Sequence, residues 1–114
     1  MSLIYHLAKA GVWADALQSG QAYAGTAEDT ADGFLHFSTA SQIVESAARH
    51  RAGERDLVLL AVDAEGLGKD LRWERSRGGA EFPHVYGTVP MAAVRWAKPL
   101  PLGPDGHHEF PDLD

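Results

Sequence analysis

The sequence predicts a single α+β domain, residues 1–114, in which a small, mixed or mostly antiparallel twisted sheet of five to six strands carries two main helices. Three observations lead to this prediction. The chain has 114 residues, a length at which one hydrophobic core is expected. Hydrophobic residues make up 45% and charged residues 23% of the chain, the usual mix for a globular domain. Short apolar segments alternate with two segments of helical periodicity.

The N-terminal residues predict a strand that is followed at once by a helix. Residues 3–7 are apolar and compatible with a strand. Residues 9–17 place Val12 and Trp13 in a pattern of helical spacing. Gly20 stands where a left-handed residue commonly ends a helix. We therefore expect the first strand and the first helix to be consecutive along the chain.

A long connection, a second strand and a second helix are expected next. Residues 20–33 are rich in Gly, Ala, Thr and acidic residues, which predicts a loop, and loops of this length are often functional. Residues 34–38 read as a strand. Thr39 with Gln42 three positions later matches a capping box, which predicts that a helix begins here. The predicted helix has an apolar stripe along one face and is expected to end at Gly53.

The remaining chain predicts four further strands. Residues 56–63 are apolar along their length, which favours a central strand covered on both faces. Residues 71–75, 84–88 and 94–100 read as shorter strands. Prolines accumulate toward the C-terminus, and residues 101–114 are therefore expected to form an irregular tail.

Charge and cysteine content exclude several kinds of partner and chemistry. The net charge of −6 and the pI of about 5.4 repel polyanions, so binding to duplex nucleic acid or to an anionic membrane surface is not expected. The absence of cysteine removes disulfides and thiolate chemistry. The sequence shows neither a signal peptide nor an apolar run long enough to span a bilayer. We expect a cytoplasmic protein.

The predicted second strand has one apolar face and one polar face. Side chains alternate along a strand, so Leu35 and Phe37 point one way while Phe34, His36 and Ser38 point the other. This pattern indicates a strand with core on one side and a pocket on the other. The alternative is a histidine satisfied by backbone carbonyls and a serine that begins the next helix. No Gly-x-Ser-x-Gly elbow accompanies the serine, which argues against serine-hydrolase chemistry.

Three histidines lie in or beside predicted strands, and a small sheet could bring them together. They are His6, His36 and His84. With Glu81 they would also supply suitable ligands for zinc, but no His-Glu-x-x-His spacing supports a metal site. A metal-dependent hydrolase is therefore an alternative that the spacing does not favour, and we expect no metal.

A polar turn segment precedes the third histidine. Gly78 and Gly79 lie between arginines and a run of polar groups, so backbone N–H groups and guanidinium groups could hold a phosphate or a carboxylate there. The polar residues of interest are Arg75, Arg77, Glu81, His84 and Tyr86. Glu81 is the first choice for a catalytic carboxylate, because it stands between the turn and the histidine, and Glu74 is the second. The alternative is an ordinary hairpin with a solvated tip.

Four segments of the chain resemble a known family in the same order. Residues 4–7 (Ile-Tyr-His-Leu), 32–39 (Asp-Gly-Phe-Leu-His-Phe-Ser-Thr), 71–74 and 82–87 (Phe-Pro-His-Val-Tyr-Gly) resemble the bacterial family called domain of unknown function 952. That family is in turn similar to the ADP-ribosyltransferase-like superfamily, which includes NAD-dependent transferases and RNA 2′-phosphotransferases. The resemblance implies an ADP-ribosyltransferase-like fold.

The resemblance also implies roles for individual residues. His6 would hold a ribose, Ser38 with Thr39 would supply the hydroxyl element of a middle strand, and Glu81 would orient the attacking group. Tyr23 or Tyr86 would stack on a nicotinamide ring. The implied cofactor is NAD, and the implied activity is ADP-ribosyl transfer or a related reaction.

Departures from the superfamily pattern leave a second hypothesis open. The choice between Glu74 and Glu81 is not settled, and His36 and His84 lie outside the usual transferase triad. The alternative is a non-catalytic module that binds a nucleotide or another small anionic ligand in the same pocket. The predicted ligand-binding residues are Tyr23, His36, Thr39, Arg75, Arg77, His84 and Tyr86.

Overall fold

A computed structural model describes residues 2–76 and 79–113. Within these residues the chain forms six strands and three α-helices, with 3₁₀ segments at Ala64–Asp70 and Met91–Ala93. In chain order the elements are β1 (Leu3–Lys9), α1 (Ala10–Ser19), α2 (Ala27–Asp32), β2 (Leu35–His36), α3 (Ile43–His50), β3 (Leu57–Asp63), β4 (Leu71–Arg75), β5 (Glu81–Val85) and β6 (Val94–Leu100).

The strands form two antiparallel sheets of three strands each. The first sheet has the order β1-β3-β6, and the second has the order β2-β5-β4. The predicted α+β class and the antiparallel pairing are confirmed. The expectation of one continuous sheet is wrong, because among the described residues the two sheets are joined only by an isolated bridge between Tyr5 and Ser38.

A short crossing segment after β2 connects the two sheets. The backbone N–H of Phe37 donates to the carbonyl of Pro83 at 3.0 Å, which continues the contact with β5. The next residue turns to the first sheet, where Ser38 and Tyr5 exchange two backbone hydrogen bonds of 2.8 Å. Residues 37 and 38 therefore hold the second sheet beside the edge strand of the first.

The predicted loop of residues 20–33 contains helix α2, which the sequence did not predict. The helix has only six residues and no apolar stripe. It begins with a capping box, in which Thr26 Oγ1 accepts from the N–H of Asp29 at 3.2 Å and the Asp29 carboxylate accepts from the N–H of Thr26 at 2.7 Å. Such a cap satisfies two backbone donors that would otherwise be unpaired.

The core lies on both faces of the first sheet, as the apolar sequence of β3 predicts. Leu60 and Val62 are fully buried in one hydrophobic cluster, whereas Leu59 and Ala61 are fully buried in the other. One cluster packs against α1 and the second sheet, and the other packs against α3. Each fully buried Leu or Val contributes roughly 1.5–3 kcal/mol to stability, so this core fixes the elements that carry the cavity.

Two local expectations change in detail. Strand β5 begins at Glu81, three residues before the predicted start. Helix α3 begins at Ile43, and only half of the predicted capping box is present, since the Gln42 side chain accepts from the N–H of Thr39 at 3.0 Å while Thr39 Oγ1 contacts Ser41. None of the helices in the described part of the chain is long and apolar enough to cross a bilayer.

Candidate functional site

A cavity of about 670 Å³ lies among α2, β2, α3 and β5. Its volume falls within the range of about 300–1,000 Å³ that small-molecule sites occupy. The lining mixes an aromatic side chain, Phe34, with groups that can exchange protons or bind anions. The most informative polar members are His6, Asp29, His36, Ser38, Arg51 and His84.

Asp29 is the buried centre of this polar network, with 2% of its side chain exposed. Its Oδ1 accepts from the backbone N–H of His36 at 3.0 Å and from Nδ1 of the same residue at 2.5 Å. Its Oδ2 accepts from the N–H and the hydroxyl of Thr26 at 2.7 and 2.9 Å. Burial alone would raise the pKa of Asp29, but the hydrogen bond from His36 and the other donors hold that pKa well below its usual value.

His36 lies between two carboxylates. Nδ1 contacts Asp29 as described, and Nε2 lies 2.9 Å from Oδ2 of Asp32. The hydrogen bond to Asp29 raises the pKa of His36, and the charge of Asp32 adds to this effect. A ring with a carboxylate at each nitrogen is best satisfied as an imidazolium, so the structure favours the charged form.

His6 has the opposite environment, with 2% of the residue exposed. Its Nδ1 lies 2.7 Å from the carbonyl oxygen of His36, and because a carbonyl only accepts, Nδ1 carries the proton. Its Nε2 therefore accepts from the hydroxyl of Tyr23 at 2.7 Å. Burial lowers the pKa of His6 and raises the pKa of Tyr23, so this pair is held in the neutral form.

A second cluster is built on the second sheet. Glu74 Oε1 accepts from Nδ1 of His84 at 2.8 Å and from the hydroxyl of Tyr86 at 2.7 Å. The hydrogen bond from Tyr86, and to a smaller extent that from His84, lowers the pKa of Glu74. Phe34 stacks on the His84 ring with centroids 4.2 Å apart, and Arg72 lies over the Tyr86 ring at 4.7 Å.

The strand register explains why this carboxylate and this histidine meet. In the β4–β5 pair Arg72 is opposite His84 and Glu74 is opposite Phe82. Glu74 and His84 are thus diagonal neighbours on one face, within reach of long side chains.

Arg51 is the cavity residue with an unsatisfied donor. Its side chain is 11% exposed, and its Nη1 lies 2.6 Å from Oε1 of Glu28 and donates to the carbonyl of His50 at 3.0 Å. Its Nε is buried and forms no hydrogen bond with any residue that the structure describes. A buried unpaired donor is unusual enough to need an explanation, and an absent ligand is one explanation.

The two glutamates considered in the sequence lie in different environments. Glu81 is exposed at the first position of β5 and does not line the cavity, although its backbone carbonyl accepts from the side chain of Gln42 at 2.8 Å. Glu74 does not line the cavity either, but it holds His84, which does. The structure therefore connects Glu74, and not Glu81, to the polar lining.

The other predicted site residues are distributed unevenly. Ser38 lines the cavity, and its hydroxyl lies 3.0 Å from that of Ser46. Thr39 and the exposed Arg75 do not line it. Arg77 lies outside the described residues, as does Gly78 of the predicted turn. Tyr23 and Tyr86 are not lining residues, but Tyr23 donates to the lining residue His6, and Tyr86 packs on the lining residue Phe34 at 5.3 Å between ring centroids.

Three residues that matter here were missed in the sequence, namely Asp29, Arg51 and Glu28. The Thr-x-x-Asp spacing of a capping box at residues 26–29 could have marked Asp29. Arg51 lies in a basic stretch with Arg49 and Arg55, which marks it as a possible anion-binding residue but not as part of this cavity, and no local signal marks Glu28. Within residues 2–76 and 79–113, no group of three or more His, Cys, Asp or Glu side chains is arranged to hold a metal ion.

Fold and site together define a small α+β protein with a polar, partly aromatic cavity beside two three-stranded sheets. The chain belongs to the family described as protein of unknown function (DUF952), whose model matches residues 7–97. The match confirms the family resemblance that the sequence motifs suggested. No curated protein matches the chain.

Solved structures of a bacterial relative share this fold. The chain is 44% identical to protein CC0527 from Caulobacter crescentus in a crystal structure, with a TM-score of 0.88 over 95% of this chain and 94% of that chain. A crystal structure of a double mutant of that protein gives the same values. Its solution NMR structure gives 46% identity and a TM-score of 0.81, over 94% of this chain and 91% of that chain.

Proposed function

We propose that the cavity binds a nucleotide or a closely similar small ligand that carries an aromatic ring and an anionic group. The observation that carries this proposal is that Phe34 and the partly unsatisfied Arg51 line the same cavity. The aromatic ring of Phe34 suits a nucleotide base, and the guanidinium group of Arg51 suits a phosphate. The −6 net charge of the chain favours a small ligand over a long polyanion.

The anion would bind to Arg51. The Nε and Nη2 groups of an arginine form a fork that matches two oxygens of a phosphate or carboxylate. Nε forms no hydrogen bond with the described residues, and because it is buried, the guanidinium must turn toward the cavity to present it. Glu28, which contacts Nη1, is 64% exposed. An ion pair with so exposed a partner is worth about 1 kcal/mol or less, whereas satisfying a buried donor recovers about 1–3 kcal/mol. An anion at Nε gains the larger of these two terms and, because Glu28 contacts Nη1, does not have to displace it.

The aromatic part of the ligand would pack on Phe34. This ring is supported by His84 at 4.2 Å and by Tyr86 at 5.3 Å between ring centroids, so it forms a preorganised wall. Stacking of a base on an aromatic side chain contributes about 1–3 kcal/mol. The serine hydroxyls of the lining, Ser38 and Ser46 among them, offer hydrogen bonds to a ribose.

NAD is the first nucleotide to test, because the sequence resemblance to the ADP-ribosyltransferase-like superfamily implies it. We place binding ahead of ADP-ribosyl transfer for two reasons. Both ring nitrogens of His6 are engaged within the protein, and Glu81 lies outside the lining. Transfer chemistry would require these two residues to reach the ligand.

Isothermal titration calorimetry with NAD, AMP, adenosine and inorganic phosphate tests the proposal. We expect AMP or NAD to bind more tightly than adenosine, and Arg51→Gln to weaken AMP by at least tenfold while leaving adenosine nearly unchanged. Phe34→Leu should weaken both. Arg75→Gln, at an exposed arginine outside the cavity, is the matched control. The proposal is wrong when no nucleotide binds at millimolar concentration, or when Arg51→Gln and Arg75→Gln have equal effects.

A further inference from the structure

We propose that His36 and His84 form an acid–base pair that hydrolyses a ribonucleoside 2′,3′-cyclic phosphate in the cavity. The inference rests on the nucleotide binding proposed above and adds a reaction to it. The two residues are directly opposite each other in the β2–β5 pair, and their ring centroids are 6.0 Å apart. Both line the cavity, so a phosphoryl group bound there faces two imidazoles.

His84 has the geometry of a general base. A carboxylate only accepts, so Nδ1 of His84 carries the proton that it donates to Glu74, and in the neutral ring Nε2 holds the lone pair. No described residue forms a hydrogen bond with Nε2. The stacked Phe34 fixes the plane of the ring, and Tyr86 donates to the same oxygen of Glu74. Glu74 and Tyr86 are therefore positioning residues, and the carboxylate stabilises the imidazolium that forms.

His36 has the geometry of a general acid. Its two ring nitrogens face Asp29 and Asp32, which favours the doubly protonated ring. Asp29 is buried and would keep hold of Nδ1, whereas Asp32 is 55% exposed. An oxygen of the ligand can therefore replace Asp32 at Nε2 at small cost. Two imidazoles on facing strands, one with a ring nitrogen free to accept and the other held to a carboxylate at each ring nitrogen, have the geometry that acid–base catalysis requires.

The reaction is balanced by these two residues and one water molecule. Water gives a proton to Nε2 of His84 while its oxygen forms a bond to phosphorus. The bond from phosphorus to one ribose oxygen breaks, and that oxygen takes the proton from Nε2 of His36. The product is a nucleoside phosphate monoester. A later proton exchange with solvent returns His84 to the neutral form and His36 to the charged form.

The rest of the cavity suits this class of substrate. A cyclic phosphodiester carries one negative charge on two free oxygens, which matches the unpaired edge of Arg51. The base would pack on Phe34. A mononucleotide fits a cavity of about 670 Å³, whereas the acidic chain would repel a long RNA.

The experiment combines calorimetry with product analysis on the full chain, using adenosine 2′,3′-cyclic phosphate as the probe. We expect binding and formation of adenosine monophosphate, detected by ³¹P NMR or chromatography. His84→Ala and His36→Ala should each lower the rate by about 100-fold or more, the usual contribution of a positioned acid or base. His107→Ala, at an exposed histidine outside this cavity, should leave the rate unchanged.

The outcomes separate this inference from nucleotide binding. Binding without product overturns the acid–base pair alone, and the absence of both overturns both proposals. Product that persists in His36→Ala and His84→Ala also overturns the pair. Glu74→Gln provides a test that does not remove a histidine: it should lower kcat about tenfold or more with little change in KM, and shift the ¹⁵N resonances of the His84 ring. His36→Gln serves where His36→Ala does not fold.

Discussion

Nδ1 of His6 donates a hydrogen bond to the backbone carbonyl of His36 at a distance of 2.7 Å. The bond joins the edge strand of one sheet to the shortest strand of the other. It also fixes the tautomer of His6, so that the second ring nitrogen must accept from Tyr23. The wall of the cavity is thus held by side chains where regular strand pairing has ended.

Asp29→Asn should destabilise the protein strongly. The buried carboxylate accepts from His36 and Thr26, and in Asn one of its oxygens becomes an amide group that faces those donors, which leaves buried donors unpaired at a cost of about 1–3 kcal/mol. Urea unfolding at pH 7 measures the effect. Asp32→Asn is the control, because Asp32 is 55% exposed and the expected loss is about 1 kcal/mol or less. Equal losses would show that Asp29 is not the centre of the network.

Stability should fall as the pH rises above about 6.5, the ordinary histidine pKa. The hydrogen bond to Asp29 raises the pKa of His36 in the folded protein. The protonated His36 therefore stabilises the fold fully at a pH below its pKa in the unfolded chain, and this stabilisation is lost as the pH rises through its pKa in the folded protein. Urea midpoints between pH 6 and 9 measure this fall. His36→Gln should flatten it, and an unchanged profile in that variant would contradict the assignment.

His6 should make the stability of the protein fall as the pH is lowered, the opposite of the effect of His36. Burial lowers the pKa of His6, so the folded state excludes a proton that the unfolded state binds. The neutral His6 therefore stabilises the fold above about pH 6.5, and this stabilisation is lost as the pH falls toward the lowered pKa of His6 in the folded protein. An NMR titration of the imidazole resonances should show His6 still neutral where His36 is fully charged. The reverse order would refute the opposed environments of the two rings.

Gly25→Ala should destabilise the protein more than Gly20→Ala does. Both glycines have positive φ, +91° and +71°, so both variants incur a backbone penalty of about 1 kcal/mol. At position 25 the new Cβ would also lie 2.8 Å from Oδ2 of Asp29, whereas at position 20 it would meet open space. Thermal unfolding of the pair measures the difference, and equal losses would mean that the turn can shift freely.

Tyr23→Phe should cost about 1–3 kcal/mol, because Nε2 of His6 would then be a buried acceptor without a donor. The Tyr23 side chain is fully buried, so water cannot easily replace the hydroxyl. Chemical denaturation measures the loss. Tyr86→Phe is the control, since Tyr86 is only partly buried and Glu74 retains its hydrogen bond from His84. A larger loss for Tyr86→Phe would contradict this account.

The sequence predicted the elements with strong periodicity and missed the relation between the sheets. Apolar residues 56–63 predicted a central strand, and β3 is buried on both faces. The break between sheets depends on where pairing with β5 stops, and that point is set by residues 37 and 38 contacting different partners. Nothing in the composition of those two residues encodes such a choice.

The site was predicted in part for a similar reason. Alternation along a strand pointed to His36 and Ser38, which both line the cavity. The choice of Glu81 rested on its place between a turn and a histidine, whereas contact with His84 depends on the register of β4, which places Glu74 diagonally across. Asp29 lay in a segment read as a loop because a six-residue helix leaves little periodicity to detect.

The cations of the cavity are already occupied by tethered carboxylates. Arg51 holds Glu28, and the His36 ring lies between Asp29 and Asp32. A tethered group competes at an effective concentration of the order of millimolar or higher, so chloride, acetate and other simple anions gain little by entering. Only a ligand with several oxygens, which can bind two or more of these cations at once, would displace these carboxylates. On the proposed function, the pocket would therefore discriminate against the abundant small anions of its surroundings without needing a lid.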